Sequence, residues 1–142
     1  MRRFAVAVTT VVLTMAVLVA CGGSDYCDSV EKNQKTLNTF GEKRTNEAYT
    51  AYAKLFTSVG NLSPNDVKAD WKKLASVTDG VLKAHDSVGL KLEEMTDAKK
   101  IAEVQADDLT KLNDAYKSFN DTAEERAAVV KNVKQECKIT LK

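Results

Sequence analysis

Three cysteines and one histidine are the most reactive side chains of this 142-residue chain, and their positions call for different chemistries. Cys21 closes the stretch Leu18-Val19-Ala20-Cys21, behind Arg2, Arg3 and an apolar run from Phe4 to Leu18 broken only by Thr9, Thr10 and Thr14. A charged start and an apolar segment too short to span a bilayer stably make an export leader. Its ending on cysteine instead of the usual small residue is a lipobox. In that chemistry the thiol takes a diacylglyceryl group, the peptide bond before it is cut, and the new amine is acylated, palmitate being a common chain. Two acyl chains, at about 0.8 kcal/mol per buried methylene, hold a protein stably. Residues 1–20 are therefore expected to be removed, with Cys21 lipidated, residues 21–24 a tether and residues 25–142 one domain on the extracytoplasmic face of the cell membrane.

The other two cysteines, Cys27 and Cys137, stand near the two ends of that domain. In an exported protein they are expected to pair, the alternative being two free thiols. No Cys-x-x-Cys and no Cys/His cluster at metal-ligand spacing competes for these sulfurs. His85 is the sole histidine, so Ser-His-Asp or Cys-His catalysis would have to use it. It shares an apolar stripe with Trp71 and Val81, where a satisfied core imidazole is the expectation. Without a Glu-x-x-His pair or Cys-x-x-Cys-His, di-iron and haem sites have no support. No catalytic residue, cofactor or metal ligand is assigned. The acidic pairs Asp66/Asp70, Asp107/Asp108 and Glu93/Glu94 read as solvated helix faces. Trp71, Tyr49, Tyr52, Phe56, Tyr116 and Phe119 read as core at helical spacing, with a ligand pocket as their other use.

Positioning these residues falls to helices. Loss of residues 1–20 leaves 122 residues, one domain's worth of chain, and reduces 21 basic residues to 19 against 20 acidic ones. A nucleic-acid partner gains nothing from that balance. One proline and six glycines are too few for a turn-rich β-protein.

The first helix is expected from Asp25 through Tyr26, Val30, Leu37 and Phe40. Gly41 to Asn46 interrupts the stripe, which resumes at Ala48, Tyr52, Leu55, Phe56 and Val59, as one kinked arm or two helices meeting at Gly41. Gly60 suits a left-handed C-cap, Ser63 an N-cap with Pro64 and Asp66 behind it, and Leu62 with Val67 a hydrophobic staple. Val67, Trp71, Leu74, Thr78, Val81, His85 and Val88 form a seam, ended by Gly89. Leu90 to Thr96 is a link tucking Leu90, Leu92 and Met95 inward. A third helix is expected over Ile101 to Phe119, and Thr122 with Glu125 makes a capping box for a last helix ending near Cys137. Lys131, Lys134, Lys138 and Lys142 suit its C-terminal dipole.

These elements predict an all-α fold, an antiparallel up-down-up-down four-helix bundle with a kinked first arm. Cys27 and Cys137 then fall at one end on adjacent arms, joining the N- and C-terminal helices by a disulfide near the membrane. The turns at Gly60–Ser63 and Asn120–Thr122 are expected to point away.

Tyr26-Cys27-Asp28-Ser29-Val30, the run from Ser63 to Trp71, Val88-Gly89-Leu90-Lys91-Leu92 and the last helix ending in Cys137 resemble a group of small actinobacterial lipoproteins and secreted proteins of unknown activity. The resemblance implies a fold and no chemistry. Many of those proteins end in Cys-Gly, where this chain has Lys138. The expected function is a non-enzymatic envelope lipoprotein, held to the membrane through acyl chains on Cys21, that binds an envelope protein or a small ligand. The alternative is a metal-binding or enzymatic bundle using His85 with nearby carboxylates.

Overall fold

Ser24 starts the first helix, its hydroxyl accepting from the Cys27 N–H at 3.3 Å, with Asp25 and Asp28 in the first turn where the helix dipole favours negative charge. The computed structural model describes residues 24–142; the leader, Cys21 and most of the tether lie outside them. Among the described residues the regular structure is all helical: α1 (Asp25–Asn38), α2 (Asn46–Leu62), α3 (Asn65–Val88), a 3-10 turn (Leu92–Thr96), α4 (Ala98–Ala102), α5 (Ala106–Asn120) and α6 (Ala123–Cys137). None of these helices is long and apolar enough to cross a membrane.

A single kinked first arm is excluded. The ring of Phe40, just past α1, packs 5.1 Å from that of Tyr52 and 4.8 Å from that of Phe56, and the Tyr52 hydroxyl donates to the Thr39 carbonyl at 2.7 Å. In one continuous helix Phe40 and Phe56 would stand roughly 24 Å apart along the axis, so the chain doubles back between α1 and α2. Gly41, at φ +83°, supplies the left-handed backbone this reversal requires.

α2 and α3 pack along most of their length. Gly60 lies inside α2 rather than capping it: a Cβ there would fall 2.8 Å from the Cβ of Trp71, so its role is close approach of two helices. Ser63 does not cap α3. Its hydroxyl donates back to the Gly60 carbonyl at 2.8 Å, and Thr122 repeats the device, donating to the Phe119 carbonyl at 2.7 Å. Both hydroxyls are buried at tight connections, where the last carbonyls of the preceding helix are unpaired and nearer than the next helix's amides. Neither helix gains the expected side-chain cap bond, and Leu62 is 46% exposed instead of stapled to Val67. Gly89 does end α3, in the left-handed conformation.

The link buries Leu90 and Leu92 as expected, whereas Met95 is only half-buried and Leu92–Thr96 forms the 3-10 turn. It is pinned reciprocally: the Leu92 N–H donates to Asn46 Oδ1 at 3.0 Å, and the Asn46 N–H donates to Glu93 Oε2 at 3.0 Å. The expected third helix is broken. α4 stops at Ala102 and α5 starts after Gln105, which puts Asp107 and Asp108 in the first turn of α5.

Both α5 and α6 pack on α3. Tyr116 of α5 bonds to His85, late in α3, whereas Asn132 of α6 bonds to Asp66 in its first turn. The α2–α3 turn therefore lies at the disulfide end, contrary to expectation, because the reversal at Gly41 adds a change of direction. At that end Tyr26, beside Cys27, meets Trp71 edge-on with ring centroids 6.5 Å apart.

Cys27 and Cys137 form the expected disulfide, with Cα atoms 5.2 Å apart. Beyond it the chain does not fray. Lys138 turns through φ +59°, Ile139 and Leu141 pack on the core, Gln34 Nε2 donates to the Thr140 carbonyl at 3.1 Å, and the Lys142 N–H donates to Asn38 Oδ1 at 2.9 Å. Five extended steps cover about 16 Å, the same as the eleven helical steps from Cys27 to Asn38. The tail thus runs along α1, tied to it by two hydrogen bonds beyond the disulfide.

Candidate functional site

His85 is 1% exposed, and both its ring nitrogens are engaged. Nδ1 lies 2.7 Å from the Leu90 carbonyl, which can only accept, so Nδ1 carries a proton. Nε2 lies 2.8 Å from the Tyr116 hydroxyl, its hydrogen-bond partner. This joins α3, the link after it and α5. Burial pushes the Tyr116 phenol above its ordinary 10.0, with Tyr49 adding to the rise and Arg44 opposing it. The carboxylates have their own occupations. Glu93 is held below the usual carboxylate range by the Asn46 N–H, and Glu94 by Lys100 and the Lys91 N–H. Asp108 pairs with Lys111 at 2.7 Å. Burial, then Glu125 and Asp66, raise Asp70. Among the described residues no group of three or more His, Cys, Asp or Glu side chains stands together as a metal site.

A polar chain crosses the core at the disulfide end. Trp71 Nε1 donates to the Tyr26 hydroxyl at 3.2 Å, that hydroxyl donates to Asn132 Oδ1 at 3.0 Å, and Asn132 Nδ2 donates to Asp66 Oδ2 at 3.3 Å. It links α1, α3 and α6. Every buried side-chain polar atom among the described residues has a partner, as a stable interior requires.

The aromatic residues are core, as expected: Tyr49, Tyr52, Phe56, Trp71 and Phe119 are all buried. An apolar cleft of about 250 Å³ opens beside Trp71, walled by Leu37, Phe40, Phe56, Leu74 and Val129, and closed on one side by Leu141 of the tail. Its polar lining consists of Asn38, Arg126 and Lys142, with no carboxylate side chain. Phe40, Phe56, Trp71 and Leu141 come from four separate segments, assembled by the Gly41 reversal and the tail.

No family model matches the chain, and no curated protein and no solved structure matches it.

The structure separates the residues singled out in the sequence. Cys27 and Cys137 are brought together, His85 is placed in the core away from them, and Cys21 lies outside the described residues. Trp71 and Phe56 line the cleft, while Tyr49, Tyr116 and Phe119 stand on the other side of Phe40. Sequence reasoning missed Arg126 and the tail. The tail carried a signal: Lys138-Ile139-Thr140-Leu141-Lys142 alternates polar and apolar, the period of an extended segment with one face on a core.

Proposed function

We propose that this chain is a lipoprotein held at the extracytoplasmic face of the cell membrane by acyl chains on Cys21, with a non-catalytic domain that binds a small ligand. The apolar cleft beside Trp71 carries the binding reading, because a concave apolar site with a few convergent polar groups is what small-molecule recognition needs. Acid–base or metal chemistry at His85 would need a ring nitrogen facing a ligand, and both face protein. Membership of the actinobacterial lipoprotein group is proposed on the same residues that carry the resemblance.

The arrangement we propose for the domain keeps up-down-up-down topology with reassigned arms: α1, α2, α3, and a broken fourth arm of α5 followed by α6. Tyr116–His85 and Asn132–Asp66 support it, since positions rising along α5 and α6 meet positions falling along α3. Cys27 and the α2–α3 turn then share the tethered end. Leu62, the large hydrophobic residue exposed at that turn, suits a surface facing lipid.

Two measurements test this. Cys21→Ala is expected to leave the chain uncleaved and unlabelled by a fatty-acid probe; a processed, detergent-partitioning mutant overturns the anchor. Titration with the neutral probe N-phenyl-1-naphthylamine is expected to quench Trp71, the sole tryptophan. A saturating probe that leaves Trp71 emission untouched overturns the binding site.

A further inference from the structure

We infer that the cleft beside Trp71 is a site for a free single-chain anionic amphiphile, an unbranched carboxylate of roughly eight to ten carbons, its chain along Trp71 and Phe56 and its headgroup on Arg126. This rests on the small-ligand reading and names the ligand class.

Charge comes first. Arg126 has no carboxylate within ion-pair distance among the described residues. Its Nε donates to the Thr122 carbonyl and one Nη to the Asn120 carbonyl, both at 3.3 Å. These two bonds hold the guanidinium, with the other Nη unpaired among the described residues. Asn38, whose Oδ1 accepts from the Lys142 N–H, adds an amide to the lining. Arg126 is the guanidinium of the lining, and no Asp or Glu side chain lines the site. A carboxylate is the complementary headgroup, since it accepts from a guanidinium in paired fashion.

Size and wall chemistry select the rest. An apolar cavity of 150 Å³ takes a benzene ring, and at about 30 Å³ per water-sized group a 250 Å³ cleft takes roughly eight methylenes. One medium-length chain fits, and the two chains of a phospholipid exceed the space. Affinity should rise about fourfold per methylene until the cleft is full and then level off.

The test uses the full chain in polymer-bounded lipid discs, which add no tryptophan. Terminally brominated decanoate, decanol and decylammonium are titrated while Trp71 emission is followed. The inference expects all quenching to be strongest with decanoate, at least about tenfold tighter than decanol, with decylammonium weakest. Arg126→Gln should erase the preference for decanoate while decanol still quenches, and Arg126→Lys should keep part of it. Because the three ligands share one chain and differ only in the headgroup, their ranking in the unaltered protein is decisive even where Arg126→Gln unfolds. Equal quenching by decanoate and decanol overturns the anionic ligand and leaves the binding reading standing. Quenching by none of them, nor by the neutral naphthylamine, overturns both.

Discussion

Tyr26 and Asn132, 106 residues apart, share a buried hydrogen bond of 3.0 Å, and the same Tyr26 hydroxyl accepts from Trp71. One phenol oxygen thus holds α1, α3 and α6 together, one residue from the disulfide. Tyr26→Phe would leave the Trp71 N–H and an Asn132 acceptor unpaired inside the core. The expected cost is about 1–3 kcal/mol, read by urea unfolding with reductant absent. A loss below the precision of the measurement would mean that the chain of bonds is incidental to packing.

Alkaline stability follows from the same phenol. Burial raises Tyr26, Tyr49 and Tyr116 above the ordinary 10.0. A proton held more tightly in the folded than in the unfolded state contributes stability that is fully present below about pH 10 and lost as pH rises through the higher native value. Melting temperature should therefore fall above pH 10, and Tyr26→Phe should flatten that fall. An equally steep alkaline limb in the variant would assign it to other groups.

Replacement of His85 separates structure from chemistry. His85→Leu leaves the Leu90 carbonyl without its donor and the Tyr116 hydroxyl without its partner, at an expected cost of about 1–3 kcal/mol. His85→Gln should cost less. Zinc or copper binding by calorimetry is expected to be absent in both wild type and variants. Micromolar binding that vanishes in His85→Gln at unchanged melting temperature would move metal handling to first place.

The crosslink spans a sequence separation of 110 residues. Intact mass should rise by about two units on reduction, exposing two alkylatable thiols. By loop-closure entropy, Cys27→Ser with Cys137→Ser should cost about 4–5 kcal/mol. Two thiols in the air-purified protein would remove the disulfide from the native state.

Lys138 sits at φ +59°, a conformation that strains a residue with a Cβ. Lys138→Gly, which removes the Cβ, should raise stability by about 0.5–1 kcal/mol. Thermal melts would show it; destabilisation would mean that the Lys138 Nζ bond to the Gln135 carbonyl outweighs the strain.

Several features were legible in the chain alone because each is a local pattern. Apolar spacing placed the seam from Val67 to His85 on one buried helix face, Gly89 marked its end, and the spacing of Leu90 and Leu92 marked an inward link. Cysteine parity anticipated the disulfide. What remained hidden depends on which partner a group meets. A serine or threonine at a helix junction satisfies the next helix or the previous one with the same hydroxyl, and Ser63 and Thr122 chose the previous because tight connections bring those carbonyls closer. Gly60 reads as a cap until the Trp71 Cβ is seen 2.8 Å from where its own would stand. The reversal at Gly41 was open in sequence, since a polar segment with one glycine serves a kink or a turn. Tertiary packing decided it, because only a doubled chain buries Phe40 against Phe56. The cleft exists for the same reason: Phe40, Trp71, Arg126 and Leu141 share no pattern along the chain and meet only when four segments converge.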